Sequence, residues 1–185
     1  MTTPSYMTLS GMHLRHNIGA VLKSAVWALA LISPLIALPA HARESLGLYE
    51  DWGAFRDPMV PRCYAIAMAA PSNLWRDYEP YAAIGTWPRR AARNKFHLRL
   101  SRKMAQGSRI TLRIGSERFS LTGGGGDAWP QDDRDNAAII AAMRSAQRMT
   151  VYATGARGGN FSNTWELPGA ASAMDAALLG CARLR

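Results

Sequence analysis

Between Phe96 and Leu121 the chain alternates apolar and polar residues so strictly that a half-buried antiparallel sheet is the natural solution. Phe96, Leu98 and Leu100 point one way; His97, Arg99 and Ser101 point the other. After a turn near Lys103–Ser108, Ile110, Leu112 and Ile114 alternate with Arg109, Thr111 and Arg113. Glu117–Leu121 then follows Gly115. A period of two places one set of side chains in a core and the other in water. The expectation is a paired meander whose outer face gathers Arg99, Arg109 and Arg113.

The rest of the chain beyond residue 43 supports a mainly β single domain with two helices. Residues 46–56 read as a first strand with aromatic anchors Tyr49, Trp52 and Phe55. Residues 62–69 read as a buried strand, ended by Pro71. Residues 72–94 read as a packed loop with a short strand near Ala83–Trp87, and Gly123–Gly126 as a flexible loop. Asp133–Gln147 reads as a helix that Asp133 or Asp135 can cap. Met149–Thr154 and Phe161–Leu167 read as strands separated by a Gly-rich turn. Pro168 can open a last helix, in which Ala171, Met174, Leu178 and Cys181 share one face.

The first 42 residues read differently. Val26–Leu38 is apolar throughout, preceded by Arg15, His16 and Lys23 and followed by Ala40-His41-Ala42. A basic segment, a short apolar core and a small-x-small exit describe a secretory signal peptide, cleaved before Arg43. The apolar run is short of the roughly 20 residues a spanning helix needs. Export implies an oxidising compartment. There Cys63 and Cys181, the two cysteines of the chain, are expected to form one disulfide. It would close most of the domain into a loop, worth roughly 4–5 kcal/mol in the chain-entropy treatment.

Charge and histidine content narrow the chemistry. The chain has 22 Lys plus Arg against 13 Asp plus Glu, a formal net charge of +9, and arginine dominates. Guanidinium groups suit carboxylates and phosphates, so a basic exported protein is expected to meet anionic surfaces or acidic proteins, and not nucleic acid. His97 is the one histidine beyond the first 42 residues. A His-rich zinc site is therefore excluded there, and a Ser–His–acid triad would have to use a residue that reads as an outward-facing strand histidine. Neither Gly123–Gly126 nor Gly155–Gly159 fits a phosphate loop, since no GK[ST] follows and the second leads into a strand. Asp132, Asp133 and Asp135 lack the glycine and glutamate of a calcium loop and read as caps. No metal and no cofactor is expected.

Several segments together carry a family likeness. Arg62-Cys63-Tyr64-Ala65, the basic meander, Ile139-Ile140-Ala141-Ala142-Met143 and Met149-Thr150-Val151 come first. Arg157-Gly158, Thr164-Trp165-Glu166-Leu167 with Gly169, and Cys181 follow. In this order the segments resemble the invasion-associated locus B family, over about residues 46–183. The resemblance implies an exported alphaproteobacterial protein with an immunoglobulin-like β-sandwich and appended helices, and a link to host-cell invasion or envelope biology without an established catalytic mechanism. Asn163 and Trp165 depart from the family pattern, which has an acidic residue and a tyrosine there.

The expectation is an exported, non-enzymatic envelope protein, periplasmic or secreted. Arg89, Arg90, Arg99, Arg109 and Arg113 are the candidate anion or partner site, and lipopolysaccharide, phospholipid or an acidic protein the candidate partners. Two alternatives are a structural or chaperone-like partner of another envelope protein, and a periplasmic enzyme built on carboxylates. Trp75 and Trp87, in the irregular stretch, are the aromatics expected to be available for binding.

Overall fold

The computed structural model describes residues 43–182; the expected signal peptide lies outside them. Ten strands and two helices follow in the order β1 (Glu44–Tyr49), β2 (Trp52–Asp57), β3 (Arg62–Met68), β4 (Tyr81–Trp87), β5 (Ala92–Arg99), β6 (Ile110–Ile114), β7 (Glu117–Gly124), β8 (Asp127–Pro130), α1 (Asp133–Met143), β9 (Arg148–Thr154), β10 (Asn160–Glu166) and α2 (Ala170–Ala182). All strand pairings are antiparallel, in the single order β1-β2-β3-β4-β5-β8-β7-β6-β9-β10. The protein is the mainly β sandwich with two appended helices that the alternation predicts.

The ladder folds over on itself, so that β1–β5 form one layer and β6, β7, β9 and β10 the other, with β8 linking them. Hydrogen bonds between segments far apart in the chain fix this fold-over. Ala70 N donates to Thr164 O (2.7 Å), Ala105 N to Thr154 O (2.9 Å) and Trp52 Nε1 to Glu166 O (2.9 Å). One contiguous core fills the space between, from Trp52, Ala65 and Phe96 through Leu112 and Met149 to Trp165. The apolar set of the alternation, Phe96, Leu98, Leu100, Ile110, Leu112 and Ile114, is buried throughout.

Both helices close this core. Asp132 caps α1 by accepting from Asp135 N (2.8 Å); the cap is one residue earlier than expected, and Asp133 and Asp135 instead fill the first turn. Asn136 ties the helix to β5: its Oδ1 accepts from Phe96 N (2.9 Å) and its Nδ2 donates to Asn94 O (2.8 Å). Helix α2 buries Ala170, Ala173, Met174, Ala177 and Cys181 against the β1–β4 layer, a face rotated from the predicted one but still containing Met174 and Cys181. Cys181 is bonded to Cys63, with Cα atoms 5.6 Å apart. Gly169 is needed at the helix entrance: φ is +85°, and a Cβ there would sit 2.0 Å from Tyr49 O.

Four local expectations change. Residues 46–56 are not one strand but the β1–β2 hairpin, turning at Glu50 and Asp51 with Glu50 at φ 50°. The stretch 71–77 is exposed, not packed, and β4 is longer than expected. Gly123 and Gly124 belong to β7; only Gly125 and Gly126 turn, and their carbonyls are held by Met104 N and Leu100 N. Most important, β5 and β6 are not neighbours, because β8 and β7 lie between them. The connection at 100–109 crosses to the other layer, since β8 satisfies the β5 edge through Leu98–Ala128 and Arg99–Asp127. The three-strand meander is β6–β7–β8.

Candidate functional site

The strand order divides the predicted arginine cluster. Arg109 and Arg113 lie on the outer face of the β6 layer, whereas Arg99 lies on the other layer and Arg89 and Arg90 in the exposed 3-10 turn between β4 and β5. Arg99 is taken up locally: its Nη1 is 2.5 Å from Asp127 Oδ2, and its guanidinium stacks 4.4 Å from the Tyr78 ring. The expected face of Arg99, Arg109 and Arg113 is therefore not assembled.

A different basic face is. The hairpin register sets Arg113 directly opposite Arg118, and Arg113 is paired on its other side with Thr150 of β9. Arg109 continues the same alternation at the start of β6. Arg113, Arg148, Gln147, Thr150 and Tyr152 line an open groove of about 580 Å³ with Gly115. Among the described residues, Arg109, Arg113 and Arg118 take part in no ion pair. Arg148 meets Glu166 across the β9–β10 pair at 3.1 Å. Opposed like charges on neighbouring strands cost a few tenths to about 1 kcal/mol. An anion seated between them would remove that cost and accept from two planar donor forks. Thr150 adds a hydroxyl, already sharing a hydrogen bond with Thr164 at 3.0 Å.

Arg118 and Arg148 were legible without the structure. Counting outward from Leu121 and Phe119 puts Arg118 on the polar face, and Met149 and Val151 put Arg148, Thr150 and Tyr152 there too. What hid them was the assumed β5–β6 pairing, which drew the face toward Arg99.

Elsewhere the site expectations resolve plainly. Trp75 is half-exposed, with Arg157 4.2 Å from its ring. Trp87 folds back over Gly85. Trp129, not singled out from sequence, is 44% exposed. The two departures from the family pattern face inward on β10: Asn163 is 6% exposed and its Oδ1 accepts from Ser101 N (2.9 Å), and Trp165 is fully buried. Both are core positions that hold the layers together. Among the described residues no group of three His, Cys, Asp or Glu side chains could hold a metal ion, and no helix is long and apolar enough to cross a membrane. No protein-family model, curated protein or solved structure matches the chain.

Proposed function

We propose that this is an exported envelope protein, related to the invasion-associated locus B proteins, that binds an anionic surface or an acidic partner through the outer face of β6, β7 and β9. The observation that supports this reading is Arg113 opposite Arg118 with no acid paired to either. A face kept only for solubility does better with mixed charges, because like pairs on adjacent strands cost stability. The groove beside Arg113 is lined by donors and one aromatic ring and holds no carboxylate, imidazole or thiol. Two guanidinium groups, an amide and two hydroxyls converge there, a donor set suited to holding an anion, and we read the protein as a binding protein.

Flotation of the purified protein with vesicles tests it. Vesicles containing lipopolysaccharide or anionic phospholipid are expected to carry the protein up at low salt and to release it steeply as salt rises. Reversal of Arg109, Arg113 and Arg118 to glutamate is expected to abolish flotation. Reversal of Arg89 and Arg90 is expected to change it little. Flotation that survives the triple reversal would remove this face as the binding surface. No flotation at low salt would leave an acidic protein as the partner to seek by pull-down against the same triple variant.

A further inference from the structure

We propose that the other layer carries a second, independent site: an open trough on the outer face of β3, β4, β5 and β8 that binds an acidic saccharide whose sugar units bear a carboxylate. The trough holds about 660 Å³, with Arg62, Tyr81, Trp87, His97, Asp127 and Trp129 among the residues that line it. This is within the range of small-ligand sites, roughly 300–1,000 Å³.

Its shape follows from the sequence of one strand. On the outer face of β4 the residues read Tyr81, Ala83, Gly85, Trp87: small in the middle, large at both ends. Register puts Ile66 of β3 and His97 of β5 on either side of Ala83, and Tyr64 and Lys95 on either side of Gly85. The short side chain at 83 makes the floor, the Trp87 indole folds over Gly85, and their neighbours make the walls. A Cβ at Gly85 would lie 2.5 Å from the far edge of that indole, so the glycine lets the ring lie flat there.

The walls are held in place before any ligand arrives. His97 stacks on Trp129 with centroids 5.3 Å apart and meets Tyr81 edge-on at 5.7 Å. Its Nε2 lies 3.0 Å from Asp127 Oδ1, while Asp127 Oδ2 is held by Arg99, itself stacked on Tyr78. Lys95 is anchored by Asp133, and Arg62 by Asp57 at 3.4 Å. Preorganised side chains lose little freedom on binding.

Three properties select the ligand. The half-exposed Trp129 and the rings of Tyr81 and Trp87 offer apolar, electron-rich surface to a flat ligand face, whereas Tyr64 is buried with Phe55 and Arg62 against its ring. Asp127 has used one lone pair on each oxygen and can still accept from a hydroxyl. Arg43 lines the trough in no ion pair among the described residues, and Arg62, which meets Asp57 through one terminal nitrogen, has donors left over. A fatty chain meets the first property alone and inorganic phosphate the third alone. A pyranose with an acidic group meets all three: its C–H face stacks, its hydroxyls reach Asp127, and its anion reaches Arg62.

The test is an NMR titration of the labelled protein with trigalacturonate, maltotriose, inorganic phosphate and uridine monophosphate in parallel. Trigalacturonate is expected to give saturable shifts at Ala83, Gly85, His97 and the Trp129 indole N–H, and neutral maltotriose weaker binding at the same residues. Trp129→Ala is expected to weaken trigalacturonate binding about tenfold, from loss of the stacking face. Ala83→Phe, which fills the floor, is expected to abolish it. The Arg109, Arg113 and Arg118 reversal is expected to leave these shifts intact, which separates this site from the basic face. Shifts at the trough as large with phosphate alone, tighter binding of the nucleotide, or no shifts at the trough with trigalacturonate would each overturn the assignment.

Discussion

The two outer faces of this sandwich both carry arginines, and they meet acids on one more than on the other, where Arg148 pairs with Glu166 and its neighbours stay open. On the outer face of the β1–β5 layer Arg62 meets Asp57 and Arg99 meets Asp127. On the β6–β10 layer Arg109, Arg113 and Arg118 have no such partner, and Arg113 faces Arg118. The difference is one of where acids land, not of how many cations each layer has. Strand β8 delivers Asp127 to the β5 edge, and α1 delivers Asp133 to Lys95. The hairpin β6–β7 has only Glu117 for an acid, which pairs in register with the buried Ile114 and so belongs to the inward-facing set. A positive total charge therefore says little about where the field is. Register decides whether an arginine is a structural partner or an open donor.

The layers also differ in how they are held, and this is the larger effect. The β1–β4 layer is stapled to α2 through Cys63–Cys181, across a sequence separation of 118. The double variant Cys63→Ala, Cys181→Ala is expected to lose about 2–5 kcal/mol of unfolding free energy, read from urea denaturation. Hydrogen exchange should then rise in α2 and β3 before it rises in β9 and β10. Vesicle flotation under native conditions should persist, since the basic face makes no contact with the staple. An unchanged urea midpoint would mean that packing of Ala173, Met174 and Ala177 alone holds the helix.

A smaller change would sharpen the contrast of charges. Arg118→Glu turns the opposed pair into an attractive one, so stability is expected to rise by a few tenths to about 1 kcal/mol. Binding to anionic vesicles is expected to fall at the same time. Opposite signs for stability and binding are what a face kept for a ligand predicts. A variant that loses stability as well as binding would show that Arg118 has a structural task in the hairpin.

How much of this was legible in the sequence depends on the range of the interaction. Short-range patterns carried the strands from Phe96 to Leu121, the buried set along them and both helices, because alternation and capping act within a few residues; the cysteine pair was legible from its count instead. Strand order was not legible. Whether β5 pairs with β6 or with β8 depends on Leu98 meeting Ala128, 30 positions on, and β8 is only four residues long. That single pairing moved Arg99 off the basic face, and it brought Asp127 and Trp129 to His97. His97 reads from sequence as a bland strand histidine, since its two defining neighbours are 30 and 32 positions away. Similarly, Asn163 reads as a polar residue on a strand, whereas its carboxamide caps the orphan N–H of Ser101 where the layers meet.

The weakest expected effect concerns the link between the two helices. Arg144, just past α1, reaches Asp175 of α2 with both guanidinium nitrogens, at 2.6 and 3.2 Å. That hydrogen bonding holds the Asp175 carboxyl below its ordinary value, against a smaller opposing cost of burial. In the unfolded chain the group titrates near 3.9. A carboxyl whose folded value is depressed contributes stability that is fully present above the unfolded value and is lost as pH falls through the folded one. The pair is exposed, so its contribution is about 0.2–1 kcal/mol at best. Asp175→Asn should therefore destabilise by that small amount uniformly between pH 5 and 8, and the gap to the parent should close below pH 4. Added salt should narrow it as well, because both groups face water. A gap that widens on acidification would mean that the pair is not what joins the helices. Each helix would then be held by its own buried face against the strands, Met143 in α1 and Met174 in α2, which salt and pH do not touch.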